Sequence, residues 1–122
     1  MIAILIALAL AAQTSSPIEV TTFLSGNSLL RLCDPAPGDD PQLQKTSLCM
    51  GYVMATLDAH AIHETIRAET SSYRPTTCMP KGVEPSQLVE IAIKFLEDHP
   101  AQRHSSAAGL VIAAAMEAYP CT

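Results

Sequence analysis

Tryptophan is absent from this 122-residue chain, and two phenylalanines and three tyrosines are its whole aromatic content. A core without large rings must be built from Leu, Ile, Val, Ala and Met, which favours packed helices over an aromatic-rich sandwich of strands. No C-x₂₋₄-C pair occurs: Cys33, Cys49, Cys78 and Cys121 are separated by 16, 29 and 43 positions, unlike the ligand spacing of a zinc site. No linker, internal repeat or low-complexity tract divides the chain, so residues 13–122 read as one domain. Positive charge is scarce as well. Seven Lys and Arg against twelve Asp and Glu leave a net charge of −5, which argues against nucleic acid and anionic membrane surfaces and is compatible with a basic protein partner.

Residues 1–12 are uncharged and apolar, and the chain turns polar abruptly at Gln13-Thr14-Ser15-Ser16-Pro17. Such a run is too short for a hydrocarbon core that needs about 20 residues. It reads as a secretory signal peptide, with Ala9-Leu10-Ala11 as the small-x-small pattern and cleavage near Ala11 to Gln13. Export follows as an expectation. An even number of cysteines in a small exported chain then reads as disulfides.

Leu88, Ile91, Ala92, Phe95 and Leu96 recur at helical spacing, with Gln87, Glu90, Lys94, Glu97 and Asp98 between them. Pro85 marks the start of this helix and Pro100 lies beyond its end. A return run carries Ala107, Leu110, Val111, Ala114 and Ala118 on one face. Fourteen helical residues span roughly 21 Å, so the return run ends beside Cys78, which gives a geometric reason to pair Cys78 with Cys121. Earlier in the chain, a helix over 21–33 would align Phe23, Gly26, Leu30 and Cys33, with Leu29 and Leu32 beside them. Three prolines, a glycine and three aspartates force a loop over 34–41. A longer helix over about 42–66 follows, with Cys49, Val53, Leu57 and Ala61 at four-residue steps and Tyr52, Ala55, Ala59 and Ile62 on an adjoining face. Four cysteines allow three pairings, of which Cys33–Cys49 with Cys78–Cys121 staples each hairpin once. The expected fold is all-α, a small bundle of about four helices in two hairpins stapled by two disulfides. Residues 65–80 read as a polar connection, either functional or mobile.

His60 and His63 fall near the end of the second long run, and His99 and His104 flank the last turn. Catalysis needs a nucleophile beside a base, and no nucleophile motif and no two-histidine metal motif with its acid is present. The expectation is a protein that is not an enzyme and uses no cofactor and no metal. Histidines near helix ends have a simpler use, interaction with the open carbonyls of the last turn.

The order Cys49-Met50-Gly51-Tyr52-Val53, Asp58-Ala59, Cys78-Met79-Pro80, Gln87-Leu88-Val89, His99-Pro100, Arg103-His104, Ala107, Leu110-Val111 and Pro120-Cys121 resembles the Rap/Tai family of immunity proteins, which protect bacteria against amidase toxins delivered by type VI secretion. The likeness runs from Phe23 to Cys121. It implies a small helical periplasmic protein with disulfides, often a homodimer, that binds a cognate amidase and sterically occludes its active-site cleft. Two positions depart from the pattern: Ala55 where glycine is common, and Glu84 where Ser or Thr commonly caps the helix. Gly51, Tyr52, Pro80, Leu88, Leu110 and the cysteines read as scaffold, and His99, Arg103 and His104 as anchors of the last turn. The partner-facing residues are expected in the exposed connection over 69–77, namely Glu69, Tyr73, Arg74, Thr76 and Thr77, because aromatic and arginine side chains dominate interface energetics. Two other classes stand beside this reading: an ATP-independent periplasmic chaperone that holds unfolded clients, and a small hydrolase dependent on His104 or a free cysteine.

Overall fold

The computed structural model describes residues 22–34 and 42–122. The expected signal peptide and the 35–41 part of the expected loop lie outside the described residues. Among the described residues four α-helices follow one another: α1 (Gly26–Cys33), α2 (Gln42–Thr70), α3 (Pro85–Asp98) and α4 (Ala107–Ala118), with one turn of 3₁₀ helix at Pro100–Gln102 between the last two. No strand occurs among the described residues, so the all-α reading holds. Both expected bridges are formed, Cys33–Cys49 and Cys78–Cys121. No cysteine is free, which removes the thiol version of the hydrolase reading.

Leu29, Cys49, Val53 and Leu96 are fully buried and bring α1, α2 and α3 onto one core. Against them α4 contributes Ala107, Val111, Ala114 and Ala115, small side chains that let α3 and α4 approach closely. The ends of α3 and α4 follow from sequence chemistry. Pro85 occupies the first helical position of α3, Gln87 Oε1 accepts from the Glu84 backbone N–H at 3.4 Å, and the Ser106 hydroxyl accepts from the Gly109 N–H at the start of α4.

The N-terminal half departs from expectation in two places. Helix α1 begins at Gly26, not at residue 21, because Ser25 caps it by accepting from the Ser28 N–H. Phe23 therefore lies outside the helix and is fully exposed instead of sharing its buried stripe. Two further N–H groups of the first turn, those of Gly26 and Asn27, donate to the carbonyls of Ser105 (3.0 Å) and Arg103 (2.8 Å), while Ala107 N–H returns a bond to Leu24. These orphan donors are satisfied by a distant turn, not by local sequence. A Cβ on Gly26 would lie 2.5 Å from Leu110 Cδ1 and 2.9 Å from the Arg103 carbonyl, so glycine is required here by space.

Helix α2 ends at Thr70 rather than near residue 66. Gly51, read above as scaffold, is exposed, and a Cβ there would meet nothing within 4 Å. Nothing in the packing of the described residues demands a glycine at that point.

Candidate partner-binding surface

Beyond Thr70 the chain does not run free. Glu64, one turn and a half before the end of α2, is 5% exposed, and its Oε1 collects three bonds from the following connection. The Tyr73 hydroxyl donates at 3.1 Å, the Thr76 amide at 2.6 Å and the Thr76 hydroxyl at 2.5 Å. His60, one turn earlier, places Nε2 3.5 Å from the same oxygen and 3.2 Å from Thr77 Oγ1. Burial alone would push the Glu64 carboxyl up, but the two donors of Thr76, the Tyr73 hydroxyl and neighbouring His60 together hold it below its ordinary value. Outside this knot Arg67 lies over the Tyr73 ring at 3.9 Å, a cation–π contact. The connection then joins the C-terminus of the fold, where Cys78 N–H donates to the Tyr119 carbonyl at 2.8 Å beside the Cys78–Cys121 bridge.

The five residues expected to face a partner divide accordingly. Glu69 is exposed on the last turn of α2, so it belongs to the helix and not to the connection, and Arg74 is exposed. Tyr73 is half-buried between Arg67 and Glu64. Thr76 and Thr77 are half-buried and turn inward to Glu64 and His60, which corrects their reading as part of an exposed connection. Sequence reasoning missed Glu64 altogether, and it set His60 near a helix end, whereas that ring lies inside α2 and binds the connection.

The three residues expected to anchor the last turn do so unequally. His99 stacks on Phe95 with ring centroids 4.1 Å apart, and its Nδ1–H donates to the Phe95 carbonyl at 2.8 Å. Arg103 ties the turn to α1 through its backbone carbonyl, while its buried Nε has no hydrogen-bond partner among the described residues. His104 is exposed.

Beside the knot, α2, the chain from Thr77 to Val83 and the start of α3 enclose a cleft of about 310 Å³. Gly82, at φ +91°, supplies the left-handed turn that brings Val83 back to it. Met54, Leu57, Met79 and Leu88 wall the cleft, and Asp58, His60, Glu64 and Thr77 supply its polar atoms. On the opposite side of α2, Leu48, Ile62 and Ile66 are exposed along one stripe with Gly51 and Ala55. No group of three or more His, Cys, Asp or Glu that could hold a metal occurs among the described residues, and no helix among them is long and apolar enough to cross a membrane.

A family model for Rap1a immunity proteins matches residues 25–121, which is α1 through the final cysteine. The chain belongs to the Rap1a immunity protein family. Membership points to a non-catalytic role in which the protein binds a toxin protein and neutralises it. Comparison with curated proteins and with solved structures gave no match.

Proposed function

We propose that this Rap1a-family chain is a periplasmic immunity protein that binds a cognate peptidoglycan amidase effector of a type VI secretion system and blocks it sterically. Family membership over residues 25–121 carries the reading. Two disulfides in so small a fold support folding in an oxidising compartment, and residues 1–12 are the signal peptide that would take it there. A stoichiometric blocker needs a rigid body and a shaped contact, and no catalytic residue or cofactor of its own.

The contact surface we assign is the end of α2 with the connection after it, with Glu69, Tyr73 and Arg74 facing the partner and Thr76 and Thr77, turned to Glu64 and His60, holding the segment in shape. The Glu64 knot favours this choice, because a segment held in one shape before binding loses less conformational entropy on contact. A homodimer would use the exposed α2 stripe of Leu48, Gly51, Ala55, Ile62 and Ile66, where the bare backbone at Gly51 admits a close second helix.

The test is inhibition of the effector amidase that the oxidised protein captures from lysate of the producing strain. Adding the oxidised protein is expected to reduce peptidoglycan hydrolysis linearly to zero at equimolar protein, with Tyr73→Ala and Arg74→Ala each weakening the complex at least tenfold, as interface anchors of this type do. Unchanged affinity in both variants would move the contact surface elsewhere. Failure to inhibit, with weak binding to many unfolded proteins instead, would replace immunity by the chaperone reading.

A further inference from the structure

We infer that the cleft between α2 and the 77–88 segment is a socket for a long cationic side chain, lysine or arginine, presented by a protein partner. Its walls are alkyl and thioether surface from Met54, Leu57, Met79, Val83 and Leu88. Its two carboxylates differ sharply. Glu64 is already satisfied by Tyr73, Thr76 and His60. Asp58 is exposed, lines the same cleft and pairs with no cation among the described residues.

An apolar channel with one free negative charge beside it matches a side chain whose methylene stem seeks burial while its head stays charged. Methionine walls adapt to such a stem without a fixed shape. A wholly apolar occupant would fill the same volume but leave Asp58 without a counter-charge. The net charge of −5 favours a basic partner in the encounter. The socket's chemistry stands on these observations, and only the identity of the partner as the amidase effector rests on the immunity reading.

The probes are Nα-acetyl-lysine methylamide and its uncharged analogue Nα-acetyl-norleucine methylamide, titrated into oxidised protein carrying ¹³C-methyl Met and Leu. The lysine probe is expected to shift the Met54, Met79 and Leu88 methyls saturably, with affinity on the order of millimolar for so small a ligand. Norleucine should bind more weakly, and Asp58→Asn should weaken the lysine probe roughly two- to fivefold, to the norleucine level, as a partly exposed ion pair allows. Asp58 is exposed, so the variant keeps the fold. Equal binding of the two probes, no shift at these methyls, or methyl shifts that change with protein concentration alone would each overturn the socket, the last by showing a second copy in it. Binding of the lysine probe by a protein that fails to inhibit the amidase would leave the socket standing and remove the immunity reading.

Discussion

Replacing Gly26 by alanine separates spatial from conformational reasons for a glycine, because Gly51 offers a matched control in the same fold. The added methyl at residue 26 would lie 2.5 Å from Leu110 Cδ1, 2.9 Å from the Arg103 carbonyl and 3.0 Å from Leu96 Cδ2. Leu96 is 1% exposed and Leu110 6%, so neither side chain has open space to swing into. The carbonyl is held by the Asn27 amide at 2.8 Å, so moving it away breaks the tie between α1 and the α3–α4 turn. Overpacking of this kind costs about 1–3 kcal/mol, against a gain in helix propensity of at most about 1 kcal/mol. Gly26→Ala is therefore expected to destabilise by about 1–2 kcal/mol, and Gly51→Ala, with open space around its new methyl, to stabilise by about 0.5–1 kcal/mol. Thermal unfolding of the oxidised proteins followed by circular dichroism reads both, at roughly 4–8 °C for each kcal/mol in a domain of this size. A Gly26→Ala melting temperature equal to or above wild type would refute the close approach of α1 to the last turn.

Glu64 gives a pH dependence whose sign follows from its lowered pKa. The carboxylate contributes stability above its ordinary value of 4.5, and that contribution is lost as pH falls through the lower folded value. Urea midpoints of wild type should thus fall as pH drops from 4.5 through that lower value, and Glu64→Gln, expected to cost about 1–3 kcal/mol at neutral pH by leaving donors imperfectly matched, should flatten that fall; an equally steep decline in the variant would place the acid sensitivity elsewhere. The disulfides should differ by loop length: in the chain-entropy model, with sequence separations of 43 and 16, removing Cys78–Cys121 costs about 4 kcal/mol and Cys33–Cys49 about 3 kcal/mol, so denaturant midpoints of the two double-serine variants should rank in that order. Phe23→Ser, at a fully exposed position outside α1, should change stability by less than about 0.5 kcal/mol, and a larger loss in the melting temperature would mean that the ring is covered.

The second half of the fold was legible because its boundaries are local. Pro85 opens α3, His99-Pro100 closes it, and the Ser106 hydroxyl caps α4, each a property of residues adjacent in sequence. The start of α1 is only partly of this kind. Ser25 caps it locally, but the amides of Gly26 and Asn27 are satisfied by the carbonyls of Ser105 and Arg103, which only the assembled bundle supplies. The end of α2 misled for a different, local reason. The Thr70 and Ser71 hydroxyls donate back to the Ile66 and Arg67 carbonyls, and Arg67 in turn covers Tyr73. Residues of loop-forming type here prolong the helix by bonding its own carbonyls.

A signal for the candidate surface was present in the periodicity and was obscured by residue type. Cys49, Val53 and Leu57 define the buried face of α2, and continuing along that face for two more turns arrives at Glu64. A carboxylate on a core face must find donors, and the neighbouring turns of a helix cannot supply backbone N–H groups, which are already engaged. The donors had to come from another segment, and the first one long enough to fold back is the connection that contains Tyr73, Thr76 and Thr77. Its tyrosine and threonines are thus explained by Glu64 before any partner is considered. The alternatives open at the sequence level, a functional or a mobile connection, are consequently unequal: four interactions with α2, through Tyr73, Thr76 and Thr77, hold this segment in place. Arg74, between them and exposed, is the side chain that this anchoring leaves free to meet another molecule from a fixed position.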